Sequence, residues 1–151
     1  MAEKPYYVFG PGEGERHQAR GSVMHFKATS QTTSGRFSLM ERSLPAGGRM
    51  PPPHVHSGME EAYFVLEGEV TFVLDGADQT FGPGTSVLVP AGTGHTFGNL
   101  SAHPSRLLVL HSPALDAYFV ELELLWGGSE APSVEEERAL MTRHGMQPAG
   151  T

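Results

Sequence analysis

From Ser22 to Pro113 the apolar residues arrive in short runs, each cut by glycine, proline or a polar turn before it reaches helical length. With 19 glycines and 12 prolines in 151 residues, such a chain favours many short strands joined by tight turns over a helical bundle. The length suits one domain with a real core. Residues 22–29, 36–44, 62–66, 70–74, 79–81, 86–89 and 106–111 read as strands. In 36–44, alternation puts Phe37 and Leu39 on one face and Ser38 and Met40 on the other, one of the two facing inward. Glu67 and Gly68 read as a tight hairpin turn, and Asp75 with Gly76 as a second.

Beyond Pro113 the period changes. Leu115, Phe119, Leu122, Leu125 and Trp126 fall near helical spacing. Ser133 with Glu136 forms a capping-box pattern opening a second helix that Gly145 ends, and the acidic run Glu135 to Glu137 suits the positive end of its dipole. Neither helix is needed for substrate contact. The expected layout is an N-terminal arm at 1–21, with Tyr6 to Phe9 as an edge strand or arm, a β domain at 22–113 and a helical tail at 114–151.

Without cysteine the chain has no disulfides, thiolate ligands or thiol nucleophiles, so a bound metal must take nitrogen and oxygen. A formal charge of −7 with ten scattered basic residues argues against a nucleic-acid partner. No run is long enough to span a bilayer, and the N-terminus lacks the apolar core of a signal peptide, so a membrane partner is not expected and a cytoplasmic protein is.

The chemistry concentrates between Gly48 and Gly68. His54 and His56, two apart, point the same way in a strand and can share an ion. Glu61 lies five beyond His56, on the wrong face of a straight strand, but Ser57 and Gly58 can break the strand and reset its direction. Two imidazoles and a carboxylate form a facial set, and a third imidazole leaves two positions of an octahedron free. His95 is the candidate third; its parity makes Phe97 and Asn99 share its face. The other histidines, His17, His25, His103, His111 and His144, read as ordinary surface or core residues, and Glu60 as a surface or rim residue.

Two spacings carry a family resemblance. The first is Gly48, five residues, His54, one, His56, four, Glu61, six, Gly68; the second is Gly84, five, Pro90, one, Gly92, two, His95, three, Asn99. Together they resemble both motifs of the cupin family, with no departure at any motif position, in a small single-domain form similar to the quercetin dioxygenase-like type. The resemblance implies an all-β, antiparallel cupin barrel (a double-stranded β-helix or jelly roll) followed by one or two C-terminal helices. It implies that His54, His56, Glu61 and His95 hold one divalent transition metal, that Glu61 can also accept a substrate proton, and that the protein is a homodimer. The donor set suits iron, manganese, nickel, cobalt or zinc alike.

Three neutral imidazoles and one carboxylate on a divalent ion leave a net charge near +1, which attracts an anionic or enolate-like oxygen. Parity makes Tyr63 and Val65 pocket candidates beside Glu61, with Phe37, Phe72 and Phe97 as further walls and Met50 near the mouth. Such walls suit a small or planar organic molecule. Only Arg49 adds a cation within the motifs, which weakens the case for a phosphorylated sugar. Three functions stay open: a metal-dependent dioxygenase acting on an enolisable or phenolic, flavonol-like compound; a metal-assisted isomerase or lyase; and a non-catalytic small-ligand binder.

Overall fold

In a computed structural model, residues 6–149 are described, and of the expected arm and tail residues 1–5 and 150–151 lie outside them. Eleven strands and two helices follow one another as β1 (Glu15–Ala19), β2 (Ser22–Ala28), β3 (Ser38–Leu44), β4 (His54–His56), β5 (Glu60–Glu67), β6 (Val70–Leu74), β7 (Ala77–Phe81), β8 (Ser86–Val89), β9 (His95–Gly98), β10 (Ser105–Ser112), α1 (Asp116–Trp126), α2 (Val134–Arg143) and β11 (Met146–Pro148). They build two antiparallel sheets, ordered β1-β2-β3-β10-β5-β8 and β11-β4-β9-β6-β7. The chain is thus mostly antiparallel sheet with two helices near its C-terminus, as the sequence led us to expect.

Side-chain alternation defines the interior. Along β10 every second residue, Ser105, Leu107, Val109 and His111, is buried, and along β5 the buried set is Glu61, Tyr63 and Val65. Tyr63, Phe72 and Phe97 meet at ring separations of 5.0 to 6.1 Å and join Met24, Met40, Val65, Val70, Leu107 and Val109 in the core. In β3 the inward face is Ser38, Met40, Arg42 and Leu44, so Phe37 stands on the opposite side at 37% exposure. The parity expected there holds, but the wall comes from the other face.

Connections depart from the sequence reading where the chain changes sheet. Gly68 does not close a hairpin between β5 and β6, because β5 pairs with β10 and β8 while β6 pairs with β7 and β9. Gly68 carries the chain across at φ +70, and a Cβ on it would sit 2.6 Å from the Pro104 carbonyl oxygen, so only glycine fits. Ser57 and Gly58 mark a similar crossing, from β4 in the smaller sheet to β5 in the larger. Asp75 and Gly76, both at positive φ, do form the β6–β7 hairpin.

The sheet also starts before residue 22, since Glu15–Ala19 pairs with β2, whereas Tyr6 to Phe9 form no strand. At the other end, α2 carries the reciprocal Ser133–Glu136 capping box, and Gly145 follows it at φ +82. Helix α1 has no side-chain cap; instead Asp116 accepts hydrogen bonds from the Ser30 amide at 2.8 Å and hydroxyl at 3.0 Å, tying its start to the β2–β3 loop. Strand β11 then adds to the edge of β4, pairing Met146 with His56 and Pro148 with His54. No helix among the described residues is long and apolar enough to cross a membrane.

Candidate metal centre

Cross-strand register brings the candidate ligands together. His54 on β4 lies opposite His95 on β9, while Glu61 on β5 comes from the facing sheet and lies opposite His111 on β10. One ligand atom from each of His54, His56, Glu61 and His95 lies within 4.8 Å of the others, and all four side chains are buried. These residues could hold one metal ion.

Local bonds pre-orient them. His54 Nδ1 donates to the Pro52 carbonyl at 2.8 Å and His95 Nδ1 to the Thr93 carbonyl at 2.9 Å, which orients both rings with Nε2 towards the cluster. Glu61 Oε2 faces His95 Nε2 at 2.8 Å and His56 Nε2 at 2.9 Å, and Oε1 accepts from His111 Nε2 at 2.9 Å and from the Tyr63 hydroxyl. His56 Nε2 is close to the carboxylate but misaligned for a hydrogen bond, and it has no other partner among the described residues. A buried, unsatisfied imidazole nitrogen aimed at three other donors, in a set of three nitrogens and one oxygen, fits a divalent cation at their centre.

Charge follows this geometry. Burial pushes the Glu61 carboxyl up, but the charge and hydrogen bond of His111, with the adjacent His56 and His95 imidazoles, bring it well below the usual carboxylate range. Burial and the neighbouring His95 push His54 down to about 3, keeping it neutral. For His95 the cost of burial is outweighed by the Glu61 carboxylate, and its pKa rises. Tyr63 is pushed well above the phenol range by burial and by Glu61, so it remains a donor.

The His54 shift sets a pH dependence for the metal-free protein. Its folded pKa of about 3 is depressed from the unfolded value of 6.5, so the unfolded chain binds the extra proton between these limits. The His54 contribution is expected to be full above pH 6.5 and to fall by a few kcal/mol as the pH drops towards 3, with Glu61 adding to the loss below 4.5. His95, shifted upward, acts oppositely: its contribution is complete below 6.5 and is lost on the alkaline side. Thermal melts in chelator at stepped pH test this, and a His54→Gln protein should show the shallower acid limb; equal limbs would contradict it.

Beside the cluster lies a narrow cavity of about 20 Å³, room for roughly one water. Its walls include Arg20, Arg42 and Phe97, with Leu115, Tyr118, Phe119, Met141 and Met146 from the C-terminal segment. The tail therefore closes the site, where the sequence reading left both helices outside it. Of the expected pocket residues, Phe97 is on this wall. Tyr63 touches Glu61 from behind, and Val65 and Phe72 lie in the core, off the cavity wall. Met50 packs over Gly98, and Phe37 faces outward, so neither reaches the cavity. Glu60 is exposed and accepts from the Ala91 amide at 3.2 Å.

Three residues of the site escaped the sequence reading. His111, taken there as ordinary, is buried against the Glu61 carboxylate, and Arg20 and Arg42 add two buried guanidinium groups. Burial and the nearby Arg20 pull Arg42 down to about 10, still cationic at neutral pH. The available signal was phase: His111 alternates with Leu107 and Val109, and Arg42 with Met40 and Leu44. Because His111 anchors Glu61 without belonging to the quartet, His111→Ala is expected to weaken metal binding by about 10- to 100-fold at unchanged stoichiometry. Titration calorimetry checks this, and an unaltered affinity would remove His111 from the account.

Comparison with known proteins agrees with this architecture. Residues 40–111 match the family model described as Cupin domain. The chain is 30% identical over 109 residues to quercetin 2,3-dioxygenase of Bacillus subtilis (strain 168), a match covering 72% of this chain and 32% of that protein. The match thus spans about a third of that relative's length. Among solved structures, KdgF from a Halomonas species superposes with a TM-score of 0.62 at 19% identity, covering 76% of this chain and 98% of that one. The polyketide cyclase RemF from Streptomyces resistomycificus superposes at 0.58 with 24% identity, covering 74% and 80%. The domain match, the motif spacings and the fold together make residues 40–111 a cupin domain.

Proposed function

We propose that this cupin is a metal-dependent enzyme of the dioxygenase-like type, acting on a small enolisable or phenolic compound. The observation that carries the reading is the convergence of His54, His56, Glu61 and His95 on one buried point beside a cavity. The 30% identity to a quercetin 2,3-dioxygenase supports it. A redox-active divalent metal held by these four would supply Lewis acidity towards a substrate oxygen and electron exchange with dioxygen.

The chain's own residues supply the rest. Tyr63 and His111 hold Glu61 Oε1, leaving Oε2 on the side where a substrate hydroxyl would deliver its proton. Its depressed pKa makes Glu61 a weak base in the metal-free state, so proton transfer is favoured for a hydroxyl already acidified by its surroundings. Phe97, Phe119 and Leu115 give the cavity apolar walls that exclude water. With room for about one water, the cavity must open to admit an organic substrate, and a compact compound needs a smaller opening than a bulky flavonol.

Oxygen consumption separates this reading from its rivals. Protein reconstituted with iron, manganese, nickel or cobalt should consume oxygen in step with loss of a small enolic substrate and stop under nitrogen. Turnover that continues without oxygen would instead identify an isomerase or lyase, and saturable binding with no turnover a ligand-binding cupin. The same reading includes a homodimer in the cytoplasm. Leu39, Leu110, Ala62 and Leu88 form one cross-strand row on the outer face of the larger sheet, next to Leu108 and Phe64, which supports assembly through that face.

A further inference from the structure

We propose that Arg42 is an anion anchor for the substrate, and that the substrate is therefore a compact organic acid bound through its carboxylate. This deepens the reading of the cavity as a substrate site and rests on it.

The two arginines of the cavity differ in one respect. Arg20 is neutralised: its Nε donates to Glu137 Oε1 at 2.8 Å and its Nη2 reaches the Tyr118 hydroxyl at 3.3 Å. Arg42 is 3% exposed, yet among the described residues it has no carboxylate partner. Its Nε donates to Ser22 Oγ at 3.0 Å, and its guanidinium carbon lies over two aromatic rings, 5.2 Å from the Phe97 centroid and 6.0 Å from that of Phe119. Its two Nη groups find no protein acceptor among the described residues.

A buried guanidinium without a directly paired carboxylate is costly to keep in a fold. The nearby Glu61 carboxylate acts on Arg42 through space but forms no ion pair with it, and its oxygens bond to His95, His111 and Tyr63. Arg42 lines the cavity together with His54, His56 and Glu61, so an anion bonded to its free edge lies next to the candidate metal ligands. Two parallel N–H donors match the two oxygens of a carboxylate. Apolar side chains on the remaining walls suit a short carbon skeleton, and because the closed cavity holds about one water it has to widen to admit even a compact acid, and far more for a multi-ring compound. A compact acid with an enolisable or hydroxylated carbon beside the carboxylate would meet both groups at once.

The probes are pyruvate and its uncharged methyl ester, titrated by calorimetry and ligand-observed NMR into the full chain, metal-free and metal-loaded, with bound metal measured in each sample. Pyruvate should bind at least tenfold more tightly than the ester in both forms, and Arg42→Gln should erase that preference while retaining its metal. Arg42→Lys, which keeps the charge and loses the fork, should fall between. Should Arg42→Gln fail to fold, the acid–ester comparison on the wild-type protein decides alone. Equal binding of acid and ester, no binding of either, or a preference that survives Arg42→Gln overturns the proposal. Failure of the metal reading shows separately, as absence of bound metal in the wild-type samples.

Discussion

Glu61→Gln is expected to abolish metal binding while leaving the metal-free chain folded. In the metal-free chain the Glu61 carboxylate faces imidazole nitrogens of His56 and His95 at 2.9 and 2.8 Å and accepts from His111 and Tyr63 on its other oxygen. A glutamine in the same place can keep its oxygen on His111 and Tyr63 and turn its amide N–H groups towards the two imidazole lone pairs. The ring nitrogens of His56, His95 and His111 that face residue 61 then have partners without a cation. A neutral amide is also a far poorer ligand for a divalent ion than a carboxylate, so the loss should exceed the 10- to 100-fold expected for residues that only orient a ligand. For the wild type, metal at about a hundred times its dissociation constant adds about 2.7 kcal/mol. In a chain of this length that raises the melting temperature by about 5 to 10 °C. Melting curves with and without metal check the prediction: the rise should be present in the wild type and absent in Glu61→Gln. A rise of equal size in both would remove Glu61 from the ligand set.

The largest loss of stability is expected from Glu137→Ala, on the far side of the cavity. Glu137 is buried on the first turn of α2, where it accepts from Arg20 Nε and from Trp126 Nε1, both at 2.8 Å. It thus joins the β1–β2 corner, the end of α1 and the start of α2 at one carboxylate. The sequence reading assigned it to the helix dipole, which accounts for the exposed Glu135 and Glu136 but not for this ion pair. Truncation leaves the Arg20 guanidinium buried with only Tyr118 as a polar contact. Breaking a buried pair from one side costs about 3 to 5 kcal/mol. That is a large share of the roughly 5 to 15 kcal/mol that stabilises a typical domain. Chemical denaturation should show the midpoint falling with little change of slope. A loss below about 1 kcal/mol would mean that Arg20 finds water or another acceptor. Because the tail walls the cavity, the same substitution should also loosen the site.

The candidate site was unevenly legible in the sequence. Spacing alone put His54 and His56 on one strand face and pointed to a break at Ser57 and Gly58, because alternation and turn chemistry are local properties. Parity also grouped Phe37 apart from Met40 correctly, yet it could not say which group faced inward, and the wall is made by Met40 and Arg42. What was missed depends on pairing between distant segments. His111 matters only because β10 lies against β5 in the register that sets it opposite Glu61, 50 residues away. Likewise, Gly68 reads locally as a hairpin turn, and only the sheet assignment shows that it passes the chain from one sheet to the other. The tail's part in the wall was hidden for the same reason: an apolar helical stripe shows that a face is covered, not what it covers.

The central claim is that four side chains from three strands share one cation. Crystals of the wild-type protein soaked with one equivalent of cobalt or zinc, with anomalous scattering recorded at the metal edge, test it most directly. The account predicts a single strong peak bonded by Nε2 of His54, His56 and His95 and by a carboxylate oxygen of Glu61. A peak bonded elsewhere, or none at this point under excess metal, would contradict it.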